Sequence, residues 1–92
     1  MSKRVHAIVS GRVQGVGFRD FVLRRAEAQE LSGWVRNMTD TRQVEFEAQG
    51  PERAVDDLIR AVHEGPLSAR VTSVVVDSLP LHSSEEVGFE IR

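Results

Sequence analysis

The chain has 92 residues, no cysteine, and 12 Lys and Arg against 14 Asp and Glu, for a formal net charge of −2. That length supports one domain over residues 1–92, built as two packed layers around one core, with little room for a buried cofactor. Without cysteine there is no disulfide frame, thiolate nucleophile or cysteine-bound metal, and the acidic balance argues against general nucleic-acid binding.

The charge is uneven. Residues 1–42 hold eight Lys and Arg and four Asp and Glu, whereas residues 43–92 hold four and ten. A positive first half suits the steering of an anion; the acidic half reads equally well as solvated surface.

Lys3 to Ser10 reads as a strand with Val5, Ala7 and Val9 on one face and Ile8 on the other. An apolar residue on each face marks a central strand. The apolar run Val5–Val9 is too short for a signal peptide or a membrane span, so the expected location is the cytoplasm.

The strand feeds into Ser10-Gly11-Arg12-Val13-Gln14-Gly15-Val16-Gly17-Phe18-Arg19. Gly15 and Gly17, one residue apart, let the backbone turn with several N–H groups facing one hollow. The helix N-terminus behind them adds free N–H donors and positive partial charge. Arg19 stands where loop becomes helix and can close over the same hollow. Two readings fit: a loop for a tetrahedral anion such as phosphate, formed by Gln14, Gly15, Val16, Gly17, Phe18 and Arg19, or a tight strand-to-helix turn with an incidental arginine. A dinucleotide fingerprint would need a third glycine where Asp20 stands. A P-loop would need Gly-Lys-Ser/Thr, and the only lysine is Lys3.

Phe18, Phe21, Val22 and Ala26 follow helical spacing from near Asp20 to near Glu30. Asp20, in the first turn, complements the dipole and is expected to face away from a bound phosphate. Leu31-Ser32-Gly33 reads as a break, Gly33 to Asn37 as a second strand and Met38 to Arg42 as a turn. Gln43 to Gln49 alternates Val44, Phe46 and Ala48 with Gln43, Glu45, Glu47 and Gln49, which predicts one buried and one wet face. The short polar link predicts an antiparallel hairpin.

Gly50-Pro51-Glu52 opens a second helix with proline in its first turn, striped by Val55, Leu58, Ile59 and Val62 and stopped by Gly65-Pro66. Val71 to Leu79 is strand-like. Pro80 to Glu86 reads as a polar loop, with Glu85-Glu86 as a solvated run, and residues 88–91 as a short last strand. The order βαββαβ with a short fifth strand predicts an α+β, ferredoxin-like two-layer sandwich with an antiparallel sheet.

Trp34 reads as a packing residue. Asn37 ends the second strand, where its carbonyl and NH₂ can hold a water and a substrate oxygen, or where it serves turn chemistry. His6, His63 and His82 fall on separate elements without metal-ligand spacing, so no metal site is expected.

At these residues the chain resembles the acylphosphatase family. Gly11-x-Val13-Gln14-Gly15-Val16-Gly17-Phe18-Arg19 is similar to its glycine-rich signature, and Gly33-Trp34-Val35-x-Asn37-x-x-Asp40 to its second motif. Gly65-Pro66-x-x-Ala69-x-Val71 and Phe89-x-Ile91 also match, so the resemblance covers nearly the whole chain. It implies hydrolysis of acyl phosphates to carboxylate and inorganic phosphate without a metal or other cofactor. It also implies that Arg19 binds the phosphate and Asn37 positions the attacking water. One departure stands out. The family usually continues Asp-Gly-x-Val-Glu, whereas here Asp40 is followed by Thr41-Arg42-Gln43-Val44-Glu45, which alters the hairpin tip.

The chemistry agrees with that class. Alkyl phosphates usually need a metal, a nucleophile or a general acid, and none is evident. An acyl phosphate expels a carboxylate whose acid has a pKa near 4, so it leaves without a proton. Backbone N–H groups, one Arg and one Asn then suffice. The expected partners are a small acyl phosphate as substrate and inorganic phosphate as product inhibitor, with no nucleic acid or membrane, for a monomer.

Three other readings compete. An RNA-binding sheet would need exposed aromatics, and the chain has no tyrosine while Phe46 points inward. A non-catalytic phosphate-binding or regulatory module would explain the loop equally and differs from the enzyme only in lacking turnover. Acylphosphatase-like domains also occur within hydrogenase-maturation carbamoyltransferases, but the length of this chain favours a free-standing enzyme.

Overall fold

The computed structural model describes residues 1–82 and 88–92. The elements are β1 (Ser2–Arg12), α1 (Phe18–Ala28), β2 (Ser32–Asn37), β3 (Gln43–Pro51), α2 (Glu52–Glu64), β4 (Arg70–Leu79) and β5 (Phe89–Ile91). They form a five-stranded sheet in the order β4-β1-β3-β2-β5, covered on one face by the two helices. This is the ferredoxin-like α+β sandwich. β1 pairs antiparallel with both β3 and β4, which makes it the inner strand its two apolar faces predict. The loop before α1 and the turn after β2 therefore emerge at one end of the sheet, because Ser10 pairs with Gln43 and Asn37 with Val44.

Alternation decides which face is buried. Val5, Ala7 and Val9 of β1, Val35 of β2, and Val44, Phe46 and Ala48 of β3 all lie under the helices. There they meet Phe18, Val22 and Ala26 of α1 and Ala54, Val55, Leu58 and Val62 of α2. Removing such side chains from water is the main force holding the two layers together, at about 1.5–3 kcal/mol for each Val, Leu or Phe.

Four expectations need correction. The sheet is mixed rather than antiparallel, because β5 runs parallel to β2. The break between α1 and β2 is Gln29–Leu31 rather than Leu31–Gly33, because Ser32 already starts β2. Glu30 takes a left-handed φ of 57° without being glycine, so the usual stop signal is missing from the sequence. Gly33 lies in the strand, as the reading of Gly33 to Asn37 predicts, and a Cβ there would fall 2.0 Å from the Glu47 carbonyl oxygen. Pro51 ends β3 and stands one residue before α2 rather than within its first turn.

The fourth correction concerns the face of β3 expected to be wet. Glu45 is 8% exposed. His6 Nε2 lies 2.7 Å from its Oε2, so the ring carries its hydrogen there, and Arg36 Nε donates to Oε1. Burial pushes the Glu45 carboxyl upward, but the bonds from His6 and Arg36 and the guanidinium charge outweigh it and hold it below the ordinary value. Arg4 pairs with Glu47 beside it. Trp34 is half-buried on this same open face, with the guanidinium carbons of Arg36 and Arg92 each 5.3 Å from its ring centroid. Glu85 and Glu86, read as a solvated run, lie outside the described residues.

Candidate active site

The glycine-rich loop ends in a helix start with no side-chain cap. Gly15 and Gly17 have φ of 74° and 78°, the left-handed region that other residues enter at a cost. The first helical hydrogen bond runs from the Phe21 N–H to the Gly17 carbonyl at 3.0 Å. The N–H groups of Phe18, Arg19 and Asp20 therefore have no intrahelical acceptor. Buried Phe18 anchors this turn to the core while Arg19 beside it stays exposed.

The start of α1 borders a cavity of about 240 Å³ lined by Val13, Gly15, Gly17, Phe18, Arg19, Asp20, Asn37 and Ile91. Arg19 of the loop and Asn37 of β2 thus share one cavity, joined because β2 ends at the same edge as the loop. Asn37 Oδ1 is buried without a hydrogen-bond partner among the described residues. An unpaired buried acceptor is destabilising, so this end of β2 carries a cost that the paired open face does not.

Asp20 shares the cavity wall, but its Oδ2 lies 2.9 Å from Arg24 Nε, one turn along the helix. The pairing with Arg24 offsets its charge, but Asp20 lines the cavity rather than facing away from it. The loop's other two members go elsewhere. Gln14 turns its amide to the β2–β3 turn, and Val16 packs against the core. Val13 and Ile91 were missed as wall residues. Val13 reads as ordinary loop, and Ile91 reaches the cavity only because β5 lies beside β2, a pairing no local pattern reveals.

The histidines stay apart. His6 bonds Glu45, His63 Nδ1 contacts the Ile59 carbonyl at 2.9 Å, and the His82 backbone pairs with the Gln49 side chain. Among the described residues no three His, Asp or Glu side chains converge in a way that holds a metal. No helix among them is long and apolar enough to cross a membrane. A larger groove of about 630 Å³ lies between β3, β2 and β5, lined by Arg4, Trp34, Glu47, His82 and Arg92 among others, and includes neither Arg19 nor Asn37. The smaller cavity is the one that brings the glycine-rich loop, Arg19 and Asn37 together.

Fold and cavity together define a small ferredoxin-like domain with an uncapped helix start, an arginine and an asparagine around one cavity at one end of its sheet. A family model described as acylphosphatase matches residues 5–91. An acylphosphatase of Chlorobaculum tepidum is 56% identical over 89% of this chain and 88% of its own length. One from Salinibacter ruber is 52% identical, covering 98% of this chain and 93% of its own. The crystal structure of a Bacillus subtilis acylphosphatase superposes with a TM-score of 0.90 at 39% identity, covering 100% of this chain and 99% of that one. The chain belongs to the acylphosphatase family and is an enzyme of that class.

Proposed function

We propose that this enzyme hydrolyses the carboxyl–phosphate bond of acyl phosphates without a metal ion. The observation that carries the reading is the single cavity lined by Arg19, Asn37 and the glycine-rich turn at the uncapped start of α1. The phosphate sits in the N–H hollow, and the Arg19 guanidinium donates two parallel hydrogen bonds to its oxygens. The Asn37 side-chain amide hydrogen-bonds a water and turns the water's lone pair toward phosphorus. Water oxygen bonds to phosphorus as the bond to the acyl oxygen breaks. The carboxylate departs with that electron pair, and both water protons end on inorganic phosphate. No group need protonate the leaving oxygen, since its acid has a pKa near 4. Fixed donors around the phosphate stabilise charge as it shifts in the transition state. Inorganic phosphate, the product, fits the same hollow and is expected to inhibit.

The test is kcat/KM across acetyl or benzoyl phosphate, aryl phosphates and alkyl phosphates, with and without chelator. Rates should fall steeply as the leaving oxygen becomes more basic, tenfold for each 1.36 kcal/mol added to the barrier. Chelator should leave the acyl-phosphate rate unchanged. Equal rates for alkyl and acyl phosphates, or activity lost in chelator, would overturn the mechanism, and phosphate binding with no turnover at all would make the site a sensor.

A further inference from the structure

Gln14 belongs to the glycine-rich loop, yet its side chain leaves the cavity and crosses to the β2–β3 turn. Its Nε2 lies 3.0 Å from the Met38 carbonyl oxygen, 3.1 Å from that of Asp40 and 2.9 Å from that of Gln43. Three carbonyl acceptors require the NH₂ end of the amide there, and its two hydrogens are shared among them. No N–H of that group is left for a phosphate oxygen.

The three carbonyls belong to the turn that begins directly after Asn37. The turn has bonds of its own: Met38 N–H to Gln43 O at 3.0 Å, Gln43 N–H to Asp40 O at 3.0 Å, and Arg42 N–H to Asp40 Oδ1 at 2.9 Å. The Gly11 N–H, 2.9 Å from the Arg42 carbonyl oxygen, ties the turn to β1. Its closure therefore does not depend on Gln14, whereas its direct attachment to the loop preceding Arg19 does.

We propose that Gln14 is a positioning residue, whose amide straps the Asn37 turn to the Arg19 loop and so sets the spacing between attacking water and bound phosphate. This rests on the roles proposed above for Arg19 and Asn37. Near-attack geometry is sensitive at the ångström scale, and a misplacement of about 1 Å can lower a rate about 10²-fold. The strap also accounts for an active geometry despite the altered hairpin tip, because it grips backbone carbonyls that any tip sequence supplies.

Gln14→Ala should lower kcat on acetyl phosphate about 10–10²-fold, while the Ki for inorganic phosphate changes less than about threefold, since Arg19 and the loop N–H groups are untouched. Gln14→Glu supplies a second readout. Its carboxylate faces three carbonyl oxygens, cannot donate, and is pushed up from its usual pKa of about 4.3. Protonation restores one donor, so its kcat relative to wild type should climb as pH falls. Hydrogen exchange should show the Met38 and Gln43 amides as protected in Gln14→Ala as in wild type, because the turn keeps its own bonds when the strap is lost. Wild-type kcat in folded Gln14→Ala, or kcat and phosphate affinity lost together, overturns the strap. So does a flat pH ratio for Gln14→Glu, which remains decisive if Gln14→Ala does not fold. Absence of turnover in wild type would instead overturn the functional reading beneath it.

Discussion

The loop end and the open face of the sheet both gather charged and polar side chains, but they treat them oppositely. On the open face Glu45 is held by His6 and Arg36, and Glu47 by Arg4. At the loop end, Asn37 Oδ1 is buried without a partner among the described residues and the first N–H groups of α1 lack helical acceptors. A satisfied buried network contributes to a specific fold. An unsatisfied one is tolerated where a ligand completes it. The proposed site and the scaffold thus differ in whether their polar groups are paired. Breaking each should therefore damage different things: activity without stability at the loop end, stability without activity on the open face.

The largest effect is expected from Arg19→Ala. Losing a two-bond charged contact should remove about 3–6 kcal/mol of transition-state stabilisation, taking each hydrogen bond to a charged group as about 1.5–3 kcal/mol. Phosphate inhibition should weaken in parallel, while the melting temperature stays near wild type because Arg19 is exposed. Arg19→Lys should recover little, since an ammonium lacks the planar fork. Near-normal kcat/KM in folded Arg19→Ala would sink the assignment of the site.

Asn37→Ala comes next, with kcat down about 10²–10³-fold, the scale for one preorganised polar group. Its phosphate Ki should hardly move, and stability should hold or rise because a buried unpaired acceptor is deleted. Parallel kcat, Ki and thermal melts decide it. A Ki that collapses with kcat would make Asn37 a phosphate ligand or a structural residue.

The smallest expected effect lies on the open face. Glu45→Ala should cost about 1–2 kcal/mol of stability through lost charged hydrogen bonds, discounted because Arg36 is largely solvated, with kcat/KM unchanged. The native carboxyl titrates below its ordinary value, so its contribution is full above the unfolded pKa of about 4.3 and is lost as pH falls through the lower native value. Denaturant melts of both proteins from neutral pH downward should converge in acid. A constant gap down to the lowest pH would mean that the ion network does not contribute as its geometry suggests.

Local pattern alone determined much of this protein. Alternation in Val5–Val9 and Val44–Ala48, the helical stripes of Phe18–Ala26 and Val55–Val62, and the Gly15-x-Gly17 loop are short-range consequences of backbone geometry. They were sufficient for the order of elements, and the motifs pointed to Arg19 and Asn37. Tertiary structure decided what depends on which strands become neighbours. The pairing of β5 with β2 made the sheet mixed and brought Ile91 to the cavity. The placement of β3 between β1 and β2 buried Glu45 between His6 and Arg36, against an alternation that reads as wet. Gln14 looked like a loop residue until the sheet brought residues 38–43 within reach of its amide. Alternation reports which side of a strand a residue is on, but not what stands there, because that is supplied by residues distant in the chain.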